Sequence, residues 1–325
     1  MVEGLVDNLG ENEVFVAVKS GNIRYLSRAD LTDPIASAIV VGKDGKTAIV
    51  SSLEKNRASE MLNMEMKVYS PYPRVKKDAR TFLSLLRSVC AGKRVVSDAR
   101  IDGLRTKVED RITQMRIVKS EAELNKIKKA NRITKGIDLE RIVVEGRSEM
   151  EIARAVDDAM LRGGADGFAF DTIVACERHT SYSHHQPADM KYRSAAIVDF
   201  GARYKGYCAD LTRTVIEGNA RLFRIKEQIE ESIASVVDEF GEGSRCSDID
   251  RGLRRALGAM SKHFYHSTGH GIGLDVHEAP FISVTSKDVL RRNMVFTIEP
   301  GVYIKGMGGV RVEDDFYVCG GIKKI

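Results

Sequence analysis

Residues 197–214 read IVDFGARYKGYCADLTRT, and residues 297–315 read TIEPGVYIKGMGGVRVEDD. Each stretch places two strand-forming runs around a turn, and each carries two separated carboxylates. Folding the first about Tyr204-Lys205 sets Asp199 opposite Asp210. Folding the second about Gly306-Met307-Gly308-Gly309 sets Glu299 opposite Glu313. Directly opposed residues have Cβ atoms roughly 4.5–5.5 Å apart, and like charges so placed destabilise a sheet. Bound cations would compensate both pairs. The plainer reading leaves each acid exposed or paired with Arg213 or Arg311. Two related hairpins in one chain weigh against it.

Between them lies HFYHSTGHGIGLDVHE (263–278), which holds four of the chain's 7 histidines: His263, His266, His270 and His277. Imidazole is the commonest protein metal ligand and titrates near neutral pH. His266 and His270 have the i, i+4 spacing of a metalloprotease helix, but no glutamate sits between them. Gly269, Gly271 and Gly273 surround His270, and glycine is poor in a helix interior. A strand or tight loop with close backbone approach fits better. Four hard carboxylates with one imidazole suit Mn²⁺, Co²⁺, Fe²⁺ or Zn²⁺. Five ligands exceed the needs of one ion and suit two ions roughly 3.5–4 Å apart. Such a pair activates water near neutral pH and polarises a carbonyl, the equipment for hydrolysing an amide.

The rest of the chain frames this centre. Its 325 residues suffice for two domains. The 51 basic residues are nearly matched by 46 acidic ones, which argues against a nucleic-acid partner needing a concentrated basic face. The densest basic runs, 76–80 and 125–132, read as helix surfaces. Five scattered cysteines without a CxxC argue for a reducing compartment and against a disulfide framework. The acid-bearing N-terminus is read as carrying no signal peptide, and no apolar run reaches membrane-span length. The expected location is cytoplasmic, with no membrane partner.

The expected fold class is α+β. Residues 1–117 read as a small α/β domain: a strand at 13–18, a hairpin over 37–52 about Asp44-Gly45, a helix over 79–90 and a strand over 94–101. Residues 118–325 read as a second domain. Ser120 with Glu123 and Ser148 with Glu151 form capping boxes, opening helices near 121–143 and 148–162. Strand-rich sequence follows to residue 218. The order then repeats, with helices near 221–240 and 247–262 and strands over 264–319. Helices followed by strands, twice, imply an internal duplication.

The segments IVDFGARYKGYCADLTRT, HSTGHGIGLDVHEAP, FTIEPGVYI and GVRVED resemble the pita-bread (M24) metallopeptidases, a family that includes methionine aminopeptidase, aminopeptidase P and prolidase. The resemblance covers about residues 115–320 and implies a catalytic domain with a pseudo-twofold repeat. It implies five metal ligands: Asp199, Asp210, His270, Glu299 and Glu313, with Asp210 and Glu313 bridging. It makes Glu299 the proton-shuttling carboxylate. His277 resembles the histidine that steadies the scissile carbonyl. His184 resembles the one beside the substrate amine, with adjacent His185 as rival. His266 and Arg311 are expected to bind substrate, and Thr212 to orient an aspartate or water. His263 and His179 are assigned to structure or surface.

The N-terminal domain, with IRYLSRADLTDP (23–34), resembles that of Xaa-Pro peptidases more than methionine aminopeptidases. The implied activity is hydrolysis of Xaa-Pro bonds in proline-containing di- or oligopeptides by a homodimer with two divalent ions, Mn²⁺ or Co²⁺ first, then Zn²⁺ or Fe²⁺. Prolidase is the first reading and aminopeptidase P the alternative. A creatinase-like amidinohydrolase and a non-catalytic binding protein are weighed against the intact ligand set. Three positions depart from the pattern. Phe281 stands where many prolidases hold an arginine for the substrate carboxylate. Glu177, where glycine is common, is expected to narrow or charge the pocket. Ser183 replaces a common proline.

Overall fold

The computed structural model describes residues 3–29, 36–72, 80–109 and 111–325. Most of the basic run at 76–80 and the end of the segment 23–34 fall outside the described residues. Two compact units form, Met1–Arg116 and Ile117–Ile325.

In the first unit a six-stranded sheet has the order β4-β3-β2-β1-β5-β6. Its strands are β1 (Glu13–Ala17), β2 (Ala36–Gly42), β3 (Gly45–Ser51), β4 (Glu65–Tyr69), β5 (Arg94–Ser97) and β6 (Lys107–Val108). Gly42 pairs with Gly45, so Lys43 and Asp44 form the turn, one residue earlier than expected. Gly45 takes φ +137°, which suits glycine alone. The helices are α1 (Glu3–Asp7), α2 (Ser20–Ser27), α3 (Lys55–Met61), α4 (Phe82–Val89) and α5 (Arg111–Ile117), which contains the division between units. The Thr81 hydroxyl accepts from Ser84 N and caps α4. Leu85 and Leu86 of α4 join Val14, Val16, Ile49 and Val95 in the core. The start of α2 has no local side-chain cap. Instead the buried Asp98 carboxylate accepts from Val18 N at 2.9 Å, Lys19 N at 3.1 Å and Asn22 Nδ2 at 2.9 Å.

The second unit opens with α6 (Glu121–Lys135), α7 (Leu139–Ile142) and α8 (Glu149–Arg162). Both expected capping boxes are formed. The helix expected over 121–143 is broken, however. Gly136 ends α6, and the Asp138 side chain accepts from Arg141 N to start α7. Glycine and a capping aspartate within three residues outweigh the apolar periodicity. Next come β7 (Gly167–Phe168), β8 (Ile173–Cys176), β9 (Ala195–Phe200), β10 (Ala202–Tyr204), β11 (Tyr207–Cys208) and β12 (Leu211–Ile216). After α9 (Ala220–Glu239) and α10 (Cys246–Leu257) the chain returns to strands. These are β13 (Gly269–Gly271), β14 (Glu278–Ile282), β15 (Val295–Ile298), β16 (Gly301–Ile304), β17 (Gly308–Arg311), β18 (Asp314–Cys319) and β19 (Gly321–Lys324).

Helices then antiparallel strands thus occur twice, and each half has its own core. Ile152, Val156 and Met160 of α8 pack with Val174, Val198 and Phe200. Ile225, Ile229 and Val236 of α9 and Ile249 and Leu253 of α10 pack with Phe296, Phe316 and Val318. The sheet β12-β9-β8 and the sheet β14-β13-β15-β18-β19 meet where Thr212 bridges Glu313. All five cysteines are free. Among the described residues no helix is long and apolar enough to cross a membrane.

Candidate metal centre and active site

The first hairpin does not take the expected register. Asp199 pairs with Thr212, and Tyr204 pairs with Tyr207, so Lys205-Gly206 is the turn. Both turn residues have positive φ, +48° and +81°. That is the two-residue turn whose twist matches antiparallel strands. Asp210 therefore lies level with Gly201, two residues along from the partner of Asp199. A Cβ on Gly201 would sit 1.9 Å from Ala209 O, so this crossing admits only glycine.

The second hairpin does take the expected register. Ile298 pairs with Asp314 on one side, and Gly301 pairs with Arg311 on the other. Val312 N donates to Pro300 O between them. Glu299 and Glu313 are consequently level. Their own ladder is interrupted there: Glu299 N donates to Thr268 O, and Glu313 N donates to Thr212 O.

His270 lies on β13, not on a helix. A Cβ at Gly269 would meet Thr297 O at 1.9 Å, and one at Gly271 would meet Ala279 O at 2.2 Å. The glycines let the His270 strand lie against its neighbours. His270 Nδ1 lies 3.1 Å from Gly271 O. Donation there leaves Nε2 as a free acceptor, 3.7 Å from Asp210 Oδ2 and 3.5 Å from Glu299 Oε1. Backbone carbonyls commonly fix the tautomer of a ligating histidine this way. Ligand atoms of Asp210, His270 and Glu313 all lie within 4.8 Å of one another.

The electrostatics of this cluster call for a cation. Burial, then the charges of Glu313 and Asp199, push the Asp210 carboxyl well above its usual range. Burial, then Glu299 and Asp199, does the same to Glu313. Glu299 rises to about 8, chiefly by burial. Burial, then His277, lowers His270 to about 3, so its ring is neutral and ready to ligate. Asp199 Oδ1, Asp210 Oδ1 and Glu313 Oε1 are buried without a hydrogen-bond partner. Buried carboxylate oxygens are normally paired or coordinate metals. The donor set therefore fits divalent ions.

A cavity of about 460 Å³ gathers nearly every sequence-expected site residue: His184, Asp199, Asp210, His266, His270, His277, Glu299, Arg311 and Glu313. Thr212 lies just behind it, fully buried. Its hydroxyl donates to Glu313 Oε2 at 2.7 Å and accepts from Arg311 Nε at 3.1 Å. His266 Nε2 lies 3.0 Å from Tyr303 OH, and burial lowers the His266 ring to about 4. The His277 ring packs edge-on against His270 with centroids 4.2 Å apart. Between the rival histidines, His184 lines the cavity, whereas His185 turns to Glu149. His179 also bonds Glu149, and His263 is half-buried outside the cavity lining.

Four residues differ from expectation or were missed. Glu177 is absent from the cavity lining, so it does not narrow the pocket. It holds φ +52° while its carboxylate accepts from Arg193 N, Ser194 N, Ala195 N and Ser194 Oγ. Those four bonds offset the strain that glycine would avoid. Arg311 is part of the plainer ion-pair reading: its Nη2 donates to Asp199 Oδ2 at 2.6 Å. Its Nη1 reaches Tyr303 OH at 3.0 Å and Ser183 O at 3.3 Å. Tyr303, which joins Arg311 to His266, lies within FTIEPGVYI, but no site role is expected of it from the sequence. Arg213 pairs with Asp314 instead of with a site carboxylate.

Comparison with known proteins agrees with this chemistry. Residues 125–319 match metallopeptidase family M24. A Xaa-Pro dipeptidase of Pyrococcus horikoshii is 32% identical over 332 residues, covering 98% of this chain and 93% of the relative. The solved Xaa-Pro dipeptidase of Bacillus anthracis superimposes with a TM-score of 0.87 at 25% identity, covering 99% of this chain and 95% of that one. An X-Pro aminopeptidase of Thermotoga maritima gives 0.84 at 27% identity, covering 99% and 96%. The α+β fold with its pita-bread catalytic domain is established by this likeness, and the chain belongs to metallopeptidase family M24.

Proposed function

We propose that this metallopeptidase is a Xaa-Pro dipeptidase. The observation that carries the reading is the buried set of carboxylates around His270, with orphaned oxygens, in one cavity with His184, His266 and His277. Near full-length similarity to a Xaa-Pro dipeptidase supports the substrate class. Asp199, Asp210, His270, Glu299 and Glu313 would hold two divalent ions, Mn²⁺ or Co²⁺ before Zn²⁺ or Fe²⁺. Asp210 and Glu313 would be shared, Asp199 would complete one set, and His270 with Glu299 the other. When bound, the ions supply an activated water and polarise the scissile carbonyl.

The chain's own residues do the rest. Glu299 holds and passes the proton, a task suited to a carboxylate that faces the cavity 3.5 Å from the His270 ring. His277, neutral because burial lowers it, donates to the carbonyl oxygen. His184 binds beside the amine and the amide nitrogen, and His266 lines the approach. Arg311 orients Asp199, Thr212 and Tyr303. The enzyme works as a cytoplasmic homodimer, and residues 1–117 form the N-terminal domain ahead of a catalytic domain over 118–325.

A specific observation favours a second reading, an aminopeptidase P acting on longer Xaa-Pro peptides. Among the described residues lining the cavity, Arg311 is the sole arginine or lysine, and each of its nitrogens already donates within the protein. Phe281, 49% exposed, lines the mouth. A dipeptide's carboxylate would find little there to pair with.

The test is hydrolysis of Ala-Pro, a longer Xaa-Pro-Xaa peptide and a Met-Ala-Ser control. The protein is stripped of metal and then given Mn²⁺, Co²⁺ or Zn²⁺. Metal-restored cleavage of Ala-Pro is the expected result. Preference for the longer peptide moves the assignment to aminopeptidase P. Failure with every peptide and metal overturns both readings.

A further inference from the structure

The loop carrying His184 runs from the end of β8 to β9 without a regular strand or helix across residues 182–190. His184 itself contributes no secondary-structure bond. Something else must hold it in place, because a residue that meets substrate needs its position fixed within a fraction of an ångström. The residues on either side show how this is done. Ser183 O accepts from Arg311 Nη1 at 3.3 Å. On the other side the His185 ring points away from the cavity to Glu149, with Nε2 2.7 Å from Oε2.

Glu149 is fully buried at the start of α8. Its Oε1 accepts from Cys176 N at 2.7 Å and faces His179 Nδ1 at 2.8 Å. Its Oε2 also accepts from Ala188 N at 2.8 Å. One carboxylate therefore ties together the end of β8, the following 3₁₀ turn and both sides of His184. Burial alone would push the Glu149 carboxyl up, but the Cys176, His185, Ala188 and His179 donors hold it below its usual value. It is an ionised acceptor, further stabilised at a helix N-terminus. The His179 and His185 rings lie 4.4 Å apart on centroids, side by side on that carboxylate.

A glutamate with two histidines is also a donor set for a metal. The geometry favours hydrogen bonds. Two donors on one ion at bond lengths of about 2.0–2.1 Å stand roughly 3.3 Å apart, whereas these nitrogens lie 2.7 and 2.8 Å from the carboxylate oxygens. Glu149 also already accepts two backbone N–H groups.

We infer that Glu149, His179 and His185 form a hydrogen-bonded clamp that positions His184 in the active site. They are positioning residues and touch no substrate. The inference rests on the proposed role of His184 in substrate hydrolysis. His185→Ala in the metal-loaded enzyme should lower kcat on the best Xaa-Pro peptide by roughly a hundredfold, the scale of a misplacement of about 1 Å. Both metal equivalents should be retained.

His185→Gln, whose amide nitrogen falls where Nε2 stood, should restore most of the loss. So should His179→Asn relative to His179→Ala. The deciding readout is a double-mutant cycle. In a His184→Ala background, adding His185→Ala should cost no further rate, because the clamp acts through His184. Wild-type activity in His185→Ala, an equal loss in both backgrounds, or no rescue by Gln would overturn the clamp. A third metal equivalent, bound by the wild type and lost with His185, would replace it with a metal site. If His185→Ala fails to fold, Glu149→Gln and His179→Ala run the same cycle. Full activity in His184→Ala alone would instead overturn the proposed role of His184.

Discussion

The two carboxylate hairpins of the catalytic unit share a plan and differ at one step. In each, a strand delivers an acid, the chain makes a small β-hairpin, and a returning strand delivers a second acid. In the second hairpin the acids are level, Glu299 with Glu313, and the ladder is interrupted at that point. In the first the ladder holds at Asp199, which faces Thr212, and breaks only beyond Phe200–Leu211, where Asp210 is offset by two residues and its N–H donates to Asp315. Two opposed carboxylates cannot rest in an unbroken ladder without a counter-charge. The chain answers this with a break in both halves and, in the first, a slip as well. The slip has a further effect: it sets a hydroxyl opposite Asp199, and that hydroxyl reaches across to Glu313. Thr212 is where the halves are joined.

The largest effect should follow removal of an acid that both halves need. Glu313→Gln should bind fewer than two metal equivalents by elemental analysis and lose at least about a thousandfold in kcat, several kcal/mol of transition-state stabilisation. His270→Ala should lose one equivalent and nearly all turnover while circular dichroism stays unchanged. Full activity in either variant would break the two-ion assignment. Gly201→Ala tests the slip itself. A methyl group 1.9 Å from Ala209 O cannot be accommodated without moving backbone. The expected cost is about 3 kcal/mol in chemical denaturation, with weaker metal binding as the Asp199–Asp210 relation is lost. A neutral result would mean the hairpin can re-register.

Much of this was legible in the sequence because it is local. Capping boxes at Ser120 and Ser148 involve residues three apart. The second hairpin's register follows from symmetric spacing about Gly306. The glycines around His270 exclude a helix whatever lies nearby. The missed features are those whose cause lies elsewhere in the chain. The slip in the first hairpin depends on Lys205 accepting positive φ, which lysine's propensity does not announce. The cap of α2 is Asp98, many strands away. Asp210 N donates to Asp315 Oδ2, which also takes Asn131 Nδ2 of α6, a contact that no spacing rule could supply. From the sequence Arg311 reads either as the partner of a site acid or as a group that binds substrate. Only packing shows that its donors are already engaged.

A smaller effect is expected at the junction. Thr212→Val keeps the shape and removes the hydroxyl that touches Glu313 and Arg311. Metal affinity or kcat should fall about ten- to hundredfold, as for other groups that orient ligands; titration calorimetry with Mn²⁺ would measure it. An unchanged affinity would mean that the halves are coupled only through backbone. The metal-free protein should also respond to pH. Glu299 rises from 4.5 to about 8 by burial. A carboxyl raised on folding contributes stability that is fully present below its unfolded value and lost as pH rises through its folded value. The melting temperature after chelation should therefore fall between pH 7 and pH 9, above the range where the lowered His266 and His270 rings act in the opposite sense, by a few degrees, roughly 1 kcal/mol. With divalent ions restored, the fall should shrink. A metal-free protein that grows more stable over that range would contradict the raised carboxyl.

The smallest effect separates the two turns. Gly306 and Gly308 supply the positive φ angles of the second hairpin, +82° and +120°, at no steric cost. The first hairpin meets the same demand with Lys205 at +48° followed by Gly206 at +81°. A lysine held there carries strain of about 1 kcal/mol that asparagine, more tolerant of this region, largely avoids. Lys205→Asn should therefore stabilise the protein by roughly 0.5 kcal/mol, while Gly206→Ala and Gly306→Ala should each cost about 1 kcal/mol. Equilibrium denaturation resolves the signs. A gain at Lys205 with unchanged kcat would show that the turn only sets the register and that the catalytic slip survives without the lysine. A loss at Lys205 would mean that the side chain itself, beyond its φ, holds the first hairpin two residues out of step with the second.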